Sequence, residues 1–252
     1  MNTVDIAADT VVAHAIVFVR VSGLVMTMPA LGDEMVPMRV RLLLALALTV
    51  ALWATVGGGV AGVSGDPAAL VRLVATEALV GVFIGLVTRV LFAAMDVAGS
   101  IIAQQTGISA AIFMNPQMVS AGTVPAALLS LLAATILLST GLYEPVLRAL
   151  AFSYEVMPVG AAAPVDDFAR LMATTVGSAF TAGAQFAAPF LLFGFVFQLA
   201  AGVLGRLMPQ LQVFFVALPL QIILGLALFG AVMALVVGRW SQFFASALAD
   251  IF

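Results

Sequence analysis

The sequence predicts an all-α integral membrane protein with about six hydrophobic segments. Composition is the first reason: 64% of the 252 residues are apolar and 8% are charged, against roughly 45–50% and ~25% in soluble domains. The second is the length of the charge-free runs. A bilayer core ~30 Å thick is crossed by about 20 apolar helical residues, and residues 42–65, 97–143, 171–205 and 207–238 each carry no charge over at least that length. Stretches 11–29 and 73–95 bring the number to about six. The connections leave no room for a soluble domain, so residues 1–252 read as a single membrane domain.

Along the chain, the first segment follows Asp5 and Asp9 instead of a basic region, and no small-residue cleavage site follows it, so a removable signal peptide is not expected. It ends where Pro29 and Gly32 break the helix and Asp33 and Glu34 open a short polar loop. A second helix starts near Pro37, an allowed first-turn position, and runs out in Gly57, Gly58 and Gly59, ahead of the turn-rich stretch that ends in Asp66 and Pro67. The third segment spaces Glu77, Gly81 and Gly85 by four residues, and Gly99, Ala103 and Gly107 repeat the interval. Such stripes let a second helix approach closely where packing drives association, either within this chain or on another subunit.

Residues 108–124 form an uncharged, apolar break holding Asn115, Pro116 and Gly122. Irregular backbone at membrane depth is tolerated only inside protein or lining a cavity. The break therefore reads as a re-entrant loop or plug, or else as a turn at the membrane interface. Residues 143–170 are the most polar connection, a solvated loop with one short helix. The fifth segment is interrupted by Gly177, Gly183, Pro189, Gly194 and Gly202, which suggests bends.

Charge excludes several functions. Nine basic and 12 acidic residues give a net charge of -3, and every basic residue is Arg. No basic face exists to track a nucleic-acid backbone. Lacking Lys, the chain has no phosphate-binding loop of the Walker type. With no Cys and with His14 as the single histidine, it has no thiolate nucleophile, no multi-His metal cluster and no independent base for a triad. No enzyme activity and no cofactor is expected. Arg in the loops does not orient the chain, since a six-span arrangement sets Arg39, Arg41 and Arg206 against Arg72, Arg148, Arg170 and Arg239. Some segments then read equally well as hairpins buried against other proteins.

Arg20, Glu77 and Arg89 fall inside apolar segments, where an unpaired charge costs ~2.5 kcal/mol or more. Glu77 and Arg89 are twelve residues apart, ~18 Å along a helix, so they cannot pair on one helix. Each finds its partner on another element, by an internal ion pair, by pairing with another subunit, or in an ion relay. Methionines around the first turn and at Met114 and Met118 fill irregular gaps, or form a deformable seal in the apolar break.

The late stretch 202–220, with Arg206, Pro209 and Gln210 followed by an apolar, Pro219-containing helix, resembles the signature of the FliR family of type III export-gate proteins. Arg20 with Pro29 and Gly32, Pro37 with Arg39 and Arg41, Glu77 with Gly81 and Gly85, and Gly99 through Asn115 and Pro116 extend the resemblance over almost the whole chain. The sequence departs where Leu142 and Tyr143 follow Gly141 in place of a common His, and where Asn115 replaces an acidic residue.

The resemblance implies a structural subunit that assembles with FliP-like and FliQ-like chains, alongside FlhB-like and FlhA-like components. The place is the bacterial inner membrane at the flagellar basal body, in contact with membrane lipid. Bent helical hairpins would pack on neighbours, and unfolded flagellar subunits would cross through the assembly. The break at 107–124 corresponds to the family's plug, which makes Ile112, Phe113, Met114, Asn115, Pro116 and Met118 the expected seal. An apolar constriction excludes water by dewetting. A virulence export system shares the motif. The rival reading is a small secondary transporter with Arg20, Glu77 and Arg89 along a substrate path, which internal inverted repeats would favour; no convincing repeat is present.

Overall fold

A computed structural model describes residues 3–33, 36–56, 67–109, 123–208 and 213–251. Its described elements are all helical: α1 (Thr3–Thr27), α2 (Met38–Val56), α3 (Pro67–Gln105), α4 (Val124–Ser139), α5 (Tyr143–Val156), α6 (Val165–Phe186), α7 (Ala188–Leu207) and α8 (Val213–Ile251). Four of them, α1, α3, α7 and α8, are long and apolar enough to cross a membrane. A fifth crossing results if α4 and α5, separated by a short break, act as one span.

The charge-free runs and the helices divide the chain differently. Asp96 closes one run, yet α3, 39 residues in all, runs through it to Gln105, because an exposed carboxylate does not break a helix; Asp96 accepts the hydroxyl of Ser130 on α4. The 171–205 run is broken at Ala187, with Pro189 in the first turn of α7, where its missing N–H is one the helix would leave unpaired anyway. In the polar connection, α5 is the short helix, and it buries Val146, Ala149, Leu150 and Ser153 along one face.

The chain forms two compact units. The first comprises Met1–Leu91, Gly141–Thr175 and Ala245–Phe252. Its core is built on α1, where Ala13, Ile16, Val17, Val21 and Leu24 are buried at helical spacing, with Met28 buried just past the helix end. Val80, Ile84, Val87 and Leu91 of α3 are buried at the same three- and four-residue intervals. Two ring stacks tie further helices to this unit: His14 lies on Trp53 of α2 with centroids 3.6 Å apart, and Phe83 on Phe168 of α6 at 3.9 Å. On α2, Ala45 and Thr49 are buried, whereas Leu43 and Val50 face outward.

The second unit comprises Phe92–Thr140 and Val176–Phe244. Its centre is Trp240, fully buried, with Phe92 edge-on at 5.7 Å and Phe244 at 5.3 Å. Pro125, Leu129, Ala133 and Leu137 form the buried face of α4 at four-residue spacing. Gly99 takes the backbone of Ala126 where α3 and α4 meet, and Gly183 of α6 packs on Ala94 and Val97. By contrast α7 and α8 are about one-tenth buried over their most apolar windows, with Leu192, Phe195, Val216 and Leu235 among the large side chains facing out.

Candidate functional site: a buried ion pair and its helix seam

The first unit is closed by a polar latch inside an apolar core. α1 presents Arg20, Gly23 and Thr27 to the Glu77, Gly81 and Gly85 face of α3, at spacings that keep each set on one helical face. A Cβ added to Gly81 would fall onto the backbone carbonyl of Arg20, one added to Gly85 onto the Thr27 hydroxyl, and one on Gly23 would lie 3.0 Å from the Val82 nitrogen. The absent side chains bring the two backbones together, and this closeness sets the Arg20 guanidinium against Glu77, one turn before Gly81.

The pair is bidentate. Arg20 Nε donates to Glu77 Oε2 at 2.6 Å and Nη2 to Oε1 at 3.0 Å, the parallel fork that guanidinium and carboxylate shapes favour. The side chains are 1% and 2% exposed. Two further bonds come from beyond α3. Arg20 Nη1 donates to Ser153 Oγ on α5 at 3.1 Å, and Nη2 to the Met157 carbonyl just past α5 at 3.0 Å. Ser153 Oγ in turn donates a hydrogen bond to the Leu150 carbonyl. The Tyr154 ring lies under the guanidinium, 4.0 Å from centroid to Cζ, a favourable place for a cation. Four guanidinium donor contacts and both carboxylate oxygens are thus used, which is what keeps buried charges tolerable. Chemically the arrangement holds three helices together.

Arg89 has a different setting. It reaches Asp33 Oδ1 at 3.2 Å, with the side chains 50% and 42% exposed. Asp33 also takes the N–H of Ala30 on Oδ2, and its carbonyl accepts Arg41 Nη2 at 2.8 Å. The turn after α1, with Ala30 at φ 66, is therefore fastened by α2 and α3 side chains. Exposed ion pairs contribute ~0–1 kcal/mol, so Arg89→Ala should shift the unfolding free energy of the purified chain by less than about 1 kcal/mol; a loss of several would reveal coupling to the core.

The remaining sequence-derived positions fall as follows. Gly81, Gly85 and Gly99 sit at close helix contacts within their own units. Gly107, at φ +77, lies beside Gln221. Arg206 is exposed in the last turn of α7, where a cation complements the helix dipole. Pro209, Gln210, Ile112, Phe113, Met114, Asn115, Pro116 and Met118 lie outside the described residues. Sequence reasoning missed Ser153, Met157, Tyr154 and Asp33 as partners. The sole available signal was that three charges in apolar segments need polar groups from elsewhere, and nothing in the spacing said which. Among the described residues, no cluster of His, Cys, Asp and Glu is suited to a metal ion.

Helices of spanning length, with a polar latch turned inward and apolar faces turned outward, define a polytopic membrane protein. The family model for bacterial export proteins, family 1, matches residues 11–247, and the chain belongs to that family. It is 39% identical to the flagellar biosynthetic protein FliR of Caulobacter vibrioides over 100% of both chains. It is 31% identical to FliR of Escherichia coli K12, over 92% of this chain and 89% of the relative. The Yop proteins translocation protein T of Yersinia pestis is 29% identical over 62% of this chain and 60% of its own length.

Proposed function

We propose that this chain is a structural subunit of the flagellar protein export gate in the bacterial inner membrane, where it helps to form and seal the conduit for unfolded flagellar subunits. The observation that carries the reading is the correspondence with FliR of Caulobacter vibrioides over the full length of both chains. The outward apolar faces of α7 and α8 support it, since such surfaces need lipid or neighbouring subunits to cover them. In this reading residues 1–252 act as one membrane domain that breaks no bond, and its neighbours are FliP-like and FliQ-like subunits with FlhB-like and FlhA-like components. Ile112, Phe113, Met114, Asn115, Pro116 and Met118 form the seal. The apolar side chains of Ile112, Phe113, Met114 and Met118 exclude water and ions by dewetting, and flexible thioethers yield to a passing chain.

Deletion of residues 112–118 tests the seal. In cells carrying the assembled complex, the expected result is wild-type co-purification with partner subunits together with faster loss of cytoplasmic potassium. A deletion mutant as tight as wild type removes the seal from the proposal. Complementation of motility in a strain lacking its own FliR tests the flagellar assignment. A transporter reading gains nothing from Arg20 and Glu77, whose charges neutralise each other inside the core.

A further inference from the structure

With 22 residues α6 is long enough to cross a bilayer, yet it is not among the four helices that are also apolar enough. The reason lies on one face. Asp167, Arg170, Thr174, Ser178, Thr181 and Gln185 recur at intervals of three and four residues, which keeps them within about 80° of one another round the helix axis. All six are exposed. From Asp167 to Gln185 the stripe runs for ~27 Å, close to the ~30 Å of a bilayer's hydrocarbon core, and no apolar side chain interrupts it. The packed side of α6 is elsewhere: Thr175, Ala179 and Ala182 are buried, and Gly183 meets α3 at Ala94 and Val97.

Hydrocarbon is a poor cover for such a face. Thr174 and Thr181 donate their hydroxyls to carbonyls on the preceding turn, at 2.9 and 2.8 Å, and need nothing from outside. The Gln185 amide, however, offers two donors and an acceptor, and Asp167 and Arg170 carry charges that lipid disfavours. The outward side of α7, with Leu192, Phe195 and Val196, shows what an apolar neighbour is met with in this chain. A packed helix would have to bring an acid, a base and an amide to matching heights, whereas water satisfies all of them at once. We infer that this face of α6 lines the water-filled path of the export gate, and that the unfolded chain in transit passes along Thr174, Ser178 and Thr181. The inference rests on the gate function proposed above and assigns part of its wall to one helix face. Such a wall suits the cargo. An extended chain carries a backbone donor and acceptor at nearly every residue, which short hydroxyls and an amide meet and release in turn, and the stripe has no ring or long apolar side chain to hold it.

The chain has no cysteine, so an introduced one reports on a single position. Thr174→Cys, Thr181→Cys and, as the control, Phe180→Cys are read in the purified assembled complex by their rate of reaction with a charged maleimide, with and without an export substrate stalled by fusion to a domain that stays folded. Phe180 is 62% exposed but lies about 120° round the helix from Thr174. The two threonine variants should react about tenfold faster than Phe180→Cys, since the thiolate is the reacting form and an apolar setting that raises a thiol's pKa by one unit leaves about a tenth of it. The stalled substrate should cancel that advantage. Rates no faster than that of Phe180→Cys would mean that another chain covers the face, and would overturn the inference. Fast reaction that a co-purifying stalled substrate leaves unchanged would put the face on an outer aqueous surface, which also overturns it while the gate reading stands. If the stalled substrate does not co-purify with the complex, the gate reading fails and takes the inference with it. Should neither threonine variant assemble, Ser178→Cys is read in their place; failure of all three to assemble makes the face a packing surface and overturns the inference.

Discussion

Arg20→Leu should destabilise the purified chain by about 3–5 kcal/mol, because removing one partner of a buried pair leaves the other charge uncompensated. Glu77 would remain 2% exposed in side-chain terms, with its two closest donors gone. Set against a total of ~5–15 kcal/mol for an ordinary domain, that loss should be visible as a sharply lower Tm in detergent and as depletion of the chain from membranes. The double variant Arg20→Leu with Glu77→Leu should recover most of the stability, since apolar residues of similar volume often replace a buried pair without loss. An Arg20→Leu chain as stable as wild type would show that the pair contributes nothing to the fold.

Gly81→Val should be nearly as damaging, for a different reason. The added Cβ meets backbone, the Arg20 carbonyl, and backbone cannot rotate out of the way as a side chain can. Overpacking ordinarily costs ~1–3 kcal/mol and occasionally more; this contact belongs at the upper end. Because separating α1 from α3 also draws Arg20 away from Glu77, Gly81→Val and Arg20→Leu should be less than additive when combined. Gly177→Ala is the control: nothing lies within 4 Å of the added Cβ, and the exchange should stabilise α6 by up to ~1 kcal/mol. The same thermal unfolding measurement reads all of these variants, and strict additivity of Gly81→Val with Arg20→Leu would separate the seam from the ion pair.

Much of the fold was legible because hydrocarbon imposes a length and a polarity on the chain. The end of α1 at Pro29 and Gly32 and the start of α2 after Pro37 follow from backbone chemistry that acts within a few residues. The continuity of α3 did not show, since Asp96 ends an apolar run without ending the helix. Nor did the break at Ala187, where the sequence offered five glycines and prolines as bends and spacing favours none of them. For the polar residues, the sequence established need without supplying address. Arg20, Glu77 and Arg89 had to have partners off their own helices, but the choice of Glu77 and Ser153 for Arg20, and of Asp33 for Arg89, depends on which helix faces meet. That is decided by glycines such as Gly81 and Gly23, whose effect is tertiary.

The latch also carries a timetable. Arg20 meets Glu77 57 residues later in the chain, and the Met157 carbonyl 137 residues later. At ~5–20 residues per second of synthesis, the guanidinium waits on the order of ten seconds between leaving the ribosome and gaining its last partner. During that interval α1 holds a charge that an apolar environment disfavours, so the helix has reason to stay beside the insertion machinery until α3 arrives. Release of this unit into the bilayer is then timed first by the arrival of Glu77 on α3, which neutralises the charge, and a nascent chain that stops before Ser153 holds the neutral pair with two of the four guanidinium hydrogen bonds still unmade.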